Sequence, residues 1–189
     1  MDRRQLVMSA VGTGLAVSGL SAVVASAATE DEIAYANFGQ ATAFLLEDFY
    51  ARAHATKLFK GPAVREILRA GFNAGEHATA LGKLLTDAGQ QPAVEKDFEF
   101  SWPRGAFASR ASMVKTGLLI TENLGGVYIS ALTAVSPSSY RRLYASMLAN
   151  LAQQIAFLSA ESGGRAVGIS FPAAVEIETA SKAIEAYLG

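Results

Sequence analysis

The sequence predicts an all-α protein: a four-helix bundle with a long crossover between its second and third helices and an additional C-terminal helix. Apolar residues recur every three or four positions through each long segment, which is the period of a helix with one buried face. Glycine, proline and serine fall between these segments, where helices end and restart. The alternation of apolar and polar residues that is typical of a strand is confined to the crossover.

The breaks divide the chain into five predicted helices. Gly61-Pro62 separates the first two, because proline suits the first turn of a helix, and Ser136-Pro137-Ser138 separates the third from the fourth. The connection over 90–106 is too long for a tight turn, so we expect two helices, a crossover, and two more helices. The expected bounds are about 31–57, 62–88, 109–135, 139–162 and 172–188.

Composition restricts the chemistry that the protein can perform. The chain has 189 residues, enough for one domain, and its 16 basic and 17 acidic residues leave a net charge of −1 without a basic block. We therefore expect no nucleic-acid partner. With no cysteine, disulfides, thiolate nucleophiles and cysteine-ligated metals are excluded, and there are only two histidines. Carboxylates and one or two imidazoles remain as candidate functional groups.

Residues 1–27 have the pattern of an export signal. Arg3-Arg4 precedes an uncharged apolar run over 7–24, which ends at the small-x-small sequence Ala25-Ser26-Ala27. The arginine pair resembles a twin-arginine signal. We predict cleavage after Ala27, a mature domain over 28–189 and a periplasmic or cell-envelope location. The alternative is a retained anchor that associates with the membrane through residues 5–27.

Three polar residues fall on stripes that the periodicity assigns to the core: His77 on the second helix, Glu122 on the third and Gln154 on the fourth. A buried polar group without a partner is costly, so we expect the three to meet in the bundle interior and behave as one coupled unit. They could form a residual metal or proton-handling site, or a hydrogen-bond network that fixes the helix register.

The residues resemble the bacterial ferritin-like domain family, which includes exported and desiccation-related members. The resemblance covers about residues 30–165 and rests on degenerate segments at 37–38, 47–50 (Glu-Asp-Phe-Tyr), 76–81 (Glu-His-Ala-Thr-Ala-Leu), 121–125 (Thr-Glu-Asn-Leu-Gly) and 153–158 (Gln-Gln-Ile-Ala-Phe-Leu). It implies a ferritin-like four-helix bundle. A di-metal site of that kind takes a Glu from each of two helices and a Glu-x-x-His pair from each of the other two.

Few of those ligands remain in this chain. By the resemblance, His77 matches the first histidine and Glu122 the lone Glu of the third helix, while Gln154 takes the place of the second histidine. The remaining ligand positions carry apolar residues, namely Leu46, Ala74 and Leu151, and Glu47 beside Leu46 points about 100° away. We therefore expect a degenerate metal site.

The leading hypothesis is an exported ferritin-like bundle without a cofactor, a non-catalytic structural subunit that binds a protein partner or forms a homo-oligomer. One alternative is a ferritin-like protein that binds a single iron, manganese or zinc ion through His77 and Glu122. Another is an accessory subunit of a membrane complex, anchored by its N-terminal segment.

Overall fold

The fold is all-helical, as the periodicity predicts. The computed structural model describes residues 28–136, 138–168 and 172–188, so the predicted signal over 1–27 lies outside the described residues. Within them the chain forms five α-helices and no strand: α1 Glu30–Ala55, α2 Pro62–Asp87, α3 Arg110–Ala134, α4 Ser138–Glu161 and α5 Ile177–Ile184. Two 3₁₀ turns occupy Glu95–Asp97 and Glu185–Tyr187.

Helices α1 to α4 form the predicted four-helix bundle. Helix α1 packs closely against α2 and α3, and α3 packs against α4, whereas the side between α2 and α4 is the most loosely packed of the four. Because α2 packs on α1 and α4 and makes at most slight contact with α3, α2 and α3 occupy diagonal positions. Among the described residues, no helix combines the length and apolarity needed to cross a membrane.

The crossover between α2 and α3 is held against α1 by aromatic residues. Trp102 donates a hydrogen bond from Nε1 to Asp48 Oδ2 at 2.7 Å, and its ring centroid lies 5.7 Å from that of Phe49. Phe98 packs on Phe44 at 5.8 Å and on Phe100 at 5.6 Å. These contacts explain how a long connection stays ordered along the bundle.

A buried carboxylate fixes the start of α1. Thr29 and Glu32 form a capping box, in which Glu32 N–H donates to Thr29 Oγ1 at 3.2 Å and Thr29 N–H donates to Glu32 Oε2 at 2.9 Å. The other carboxylate oxygen accepts from Ser136 N–H at 2.9 Å, just after α3. Glu32 therefore joins the first helix to the turn between α3 and α4.

Two glycines of α2 leave room for polar side chains of α1. Gly75 and Gly82 lie on one face of α2, and each is covered by a polar side chain of α1. A Cβ atom at Gly75 would lie 2.8 Å from Glu47 Oε1, and one at Gly82 would lie 2.6 Å from Gln40 Nε2. A larger residue at either position would displace the polar side chain that covers it.

The C-terminal strap, residues 172–188, begins as an extended segment and not as the helix predicted from residue 172. Val175 N–H donates to Gly126 O at 3.0 Å, and Ser130 Oγ donates to Val175 O at 2.9 Å. Because α3 takes up these backbone groups, the helix starts only at Ile177. Ser101 N–H donates to Tyr187 O at 2.9 Å and fixes the other end.

Gly126 should be required for docking of the strap. A Cβ atom there would overlap Val175 Cγ2 and lie 2.9 Å from Val175 Cβ. We expect Gly126→Ala to lower the free energy of unfolding by about 1–3 kcal/mol and to speed proteolysis near the C-terminus. Chemical denaturation and limited proteolysis measure the two effects.

Gly125→Ala is the matched control, because its Cβ atom would meet Leu148 Cδ1 at an ordinary 3.7 Å. Alanine has the higher helix propensity, so this variant should be neutral or more stable by up to about 1 kcal/mol. Equal destabilisation by the two substitutions would refute the proposed strap contact.

Candidate site at the centre of the bundle

Gln154 is buried in the bundle interior, as its position on α4 predicts. It continues the stripe formed by Met147 and Leu151, which also face the core. Its Oε1 atom accepts a hydrogen bond from Tyr50 Oη at 3.0 Å, and its Nε2 atom donates to Asn150 Oδ1 at 2.8 Å. Both ends of the amide therefore have partners, which removes the cost of burying it.

Tyr50 and Thr121 extend this network across the bundle. Tyr50 is fully buried on α1, and the Thr121 side chain of α3 lies within hydrogen-bonding reach of its hydroxyl. Thr121 Oγ1 donates to Gly117 O one turn earlier at 2.7 Å. Burial raises the pKa of Tyr50, so the phenol stays neutral and keeps its proton for Gln154. The network thus joins α1, α3 and α4.

A small cavity adjoins the network on the loosely packed side between α2 and α4. Its volume is about 50 Å³, and polar side chains make up most of its wall, including those of Asn73, Asn150 and Gln154. A cavity of this size and polarity can admit water. The central amide therefore lies between a buried phenol and a polar opening.

Two further tyrosines lie in the core beside α1. The rings of Tyr128 on α3 and Tyr144 on α4 have centroids 5.3 Å apart. Among the described residues, neither hydroxyl has a hydrogen-bond partner. Burial raises the pKa of both side chains, so both remain neutral phenols.

His77 is half-buried on α2 and does not reach the core centre, where Ala74 and Ala78 take the inward positions. Burial lowers its pKa from 6.5 to about 4. The imidazole is therefore neutral at pH 7. That is the form able to accept a hydrogen bond or bind a metal, although His77 lines neither of the cavities described here.

The expectation that Glu122 lies in the core is wrong. Glu122 is exposed, and its neighbour Thr121 occupies the inward position. Helix α3 is apolar on nearly every side, with Leu118 and Leu119 as well as Ile120 along it. Apolar periodicity alone therefore could not determine which side faces the bundle.

The structure does not bring His77, Glu122 and Gln154 together. Glu122 lies in an open groove of about 970 Å³ beside Lys115 and Leu118, whereas Gln154 lines the small cavity between α2 and α4. His77 and Glu122 belong to diagonal helices. Within the part of the chain that the structure describes, no three His, Cys, Asp or Glu side chains are grouped so that they could hold a metal ion.

Positions expected to carry metal ligands hold apolar side chains in the core. Leu46, Ala74 and Leu151 are all buried. Glu47 points aside, as helical geometry predicts, and is half-buried against Gly75 of α2. Burial and the negative charge of Glu95 raise the pKa of Glu47.

The comparison with known families agrees with the helical fold. Residues 25–163, well over half of the chain, match the family model of the ferritin-like domain. This chain belongs to the ferritin-like domain family. The matched region ends just after α4, so the whole strap, α5 included, lies beyond the ferritin-like match. A search among curated proteins found no match.

Sequence reasoning missed three members of the central network in this ferritin-like bundle: Tyr50, Thr121 and Asn150. A signal was present for two of them. Tyr50 follows Leu46 by four residues on the buried stripe of α1, and a buried tyrosine needs a partner for its hydroxyl. Asn150 precedes Gln154 by four residues, which places the two amides on one helical face.

The Tyr50–Gln154 hydrogen bond should contribute to stability. Tyr50→Phe leaves Gln154 Oε1 buried without its donor, so we expect the free energy of unfolding to fall by about 1–3 kcal/mol. Gln154→Leu should lower the free energy of unfolding by a similar amount. The double variant Tyr50→Phe/Gln154→Leu should lower it by less than the sum of the two single effects. Chemical denaturation of all three variants measures the coupling.

Glu122→Ala is the control, because an exposed side chain should change the free energy of unfolding by less than about 0.5 kcal/mol. Additive effects of the Tyr50 and Gln154 substitutions would contradict the hydrogen bond. A large decrease in the free energy of unfolding for Glu122→Ala would indicate that Glu122 is buried in the core.

Proposed function

We propose that this chain is an exported ferritin-like bundle without a di-metal centre, acting as a non-catalytic structural or partner-binding protein. The main observation behind this proposal is that the side chain of Gln154 is hydrogen-bonded at both ends. It takes the place of a family ligand, yet its carbonyl oxygen and its amide group are engaged by Tyr50 and Asn150. An amide committed to two protein partners is a poor metal ligand.

The donor set supports the same conclusion. A di-metal centre of this class uses four carboxylates and two histidines, and Leu46, Ala74 and Leu151 supply no donor atom. Glu122, the remaining carboxylate of the expected set, faces solvent. The residues therefore do not fit a di-metal centre.

The single-ion alternative has less support. It needs His77 and Glu122 to bind one ion, but these residues lie on diagonal helices, and Glu122 opens into the groove on α3. The Tyr50–Gln154 hydrogen bond fills the centre of the bundle with protein groups, which favours a structural or binding role.

Metal analysis tests this proposal. We expect protein recovered from its native compartment to hold well under two transition-metal ions per chain, to lack ferroxidase activity and to melt at the same temperature with and without chelator. Elemental analysis by mass spectrometry, oxygen-dependent absorbance and thermal melts provide the measurements.

The two histidines offer a matched pair of variants for the same test. If a single ion were bound through His77, His77→Asn would lose metal and His54→Asn would keep it. We expect neither variant to differ from wild type. Two irons per chain, or a chelator-dependent melt abolished by His77→Asn alone, would overturn the proposal.

Export is the second part of the proposal and is supported by the N-terminal sequence. Lysine at both Arg3 and Arg4 should leave precursor in the cytoplasm, because the twin-arginine signal depends on the arginine pair. Cell fractionation measures the distribution, and N-terminal sequencing of the exported protein should begin at Ala28. The Arg141→Lys/Arg142→Lys variant alters another arginine pair and should be exported normally.

An envelope protein that begins at Met1 or Asp2 would instead indicate a retained anchor. That result would favour an accessory subunit of a membrane complex over a freely exported bundle.

A further inference from the structure

The solvent-facing side of α2 carries two large apolar side chains. Leu68 is 50% exposed and Phe72, one turn later, is 59% exposed. The core residues of this helix, such as Ile67 and Ala74, lie on its other side, about 100° from Leu68 and farther from Phe72. Leu68 and Phe72 therefore form an apolar pair on the solvent-facing side of α2.

Opposite charges flank this apolar pair along the helix. Arg65 precedes Leu68 by three residues and Glu76 follows Phe72 by four, and both are exposed. The guanidinium group of Arg69 lies 5.5 Å from the centre of the Phe72 ring. We call residues 65–76 on this side the α2 stripe; Arg65 lies at its N-terminal end and Glu76 at its C-terminal end.

A stripe with this arrangement is complementary to itself. When two copies pack antiparallel about a two-fold axis near the middle of the stripe, Arg65 of each copy faces Glu76 of the other. The same symmetry brings the apolar pair of one copy against that of its mate. We propose that the α2 stripe is the interface of an antiparallel homodimer. This inference rests on the partner-binding role proposed above and specifies a second copy of the chain as the partner.

The charge pattern favours a second copy over a membrane surface. A helix that binds an anionic bilayer is rich in cations beside its apolar face, whereas Glu76 would place an anion against the lipid headgroups. In the two-fold pair each Glu76 meets an arginine. The stripe spans about three helical turns and buries less than a standard interface of about 1,600 Å², so the dimer should depend on protein concentration.

Charge reversal tests both the interface and its symmetry. Arg65→Glu places two glutamates against each other in each pair, and Glu76→Arg places two arginines together. Each variant should raise the dimer dissociation constant about ten-fold or more. An equimolar mixture of the two variants should form a heterodimer of near wild-type affinity, because every pair then has opposite signs. Analytical ultracentrifugation over a concentration series measures all three.

The experiment with the mixed variants distinguishes disruption of the interface from misfolding, because adding a second variant does not restore a misfolded chain. Lys115→Glu reverses an exposed charge on α3 and is the control for Arg65→Glu. Leu68→Ala/Phe72→Ala should abolish the dimer, whereas Leu119→Ala, which removes a 39% exposed leucine from α3, should leave it intact.

Three results would overturn the inference: a monomer at all concentrations, a dimer indifferent to both charge reversals, or binding to anionic phospholipid vesicles that requires Leu68 and Phe72. Metal content measured on the same samples keeps the two proposals distinguishable. A metal-free monomer would refute the proposed dimer but would be consistent with the proposed non-catalytic role. Two irons per chain in an intact dimer would refute the non-catalytic role but would be consistent with the proposed interface.

Discussion

The hydrogen bond between Tyr50 and Gln154 crosses the middle of the bundle. It joins α1 to α4, which occupy diagonal positions in the bundle. The Thr121 side chain of α3 lies against the same phenol. A polar pair of this kind favours one helix register, because any slip would leave a buried amide or hydroxyl without a partner. Close packing of α1 on α2, where Gly75 and Gly82 leave room for Glu47 and Gln40, then completes the core.

Much of the fold could be predicted because the relevant signals are local. Helix bounds agree with the structure to within two residues for α1 to α4, since Gly61-Pro62 and Ser136-Pro137-Ser138 lie where helices end and restart. The start of α5 could not be predicted, because the backbone of Val175 bonds to Gly126 and Ser130, which are distant in sequence. A local pattern carries no information about such a partner.

The central site was predicted less well for a related reason. Gln154 stood out because α4 has a clear polar and a clear apolar side, and its burial is confirmed. Glu122 was misplaced because α3 packs against α1, α4 and the strap, so most of its sides are apolar and the inward side has no distinct sequence signature. The role of Tyr50 required knowing that its hydroxyl faces Gln154, 104 residues away.

The position of the strap has a consequence for how the chain folds. The atoms that hold Val175 belong to α3, and Ser130 lies 45 residues earlier, with all of α4 between them. Formation of α4 and its packing on α3 shorten that loop and lower the entropy lost when it closes. Because synthesis releases the N-terminal helices first, we expect the strap to join a bundle whose four helices already exist. Until then, the backbone of Gly126 and the hydroxyl of Ser130 lack their partners from the strap.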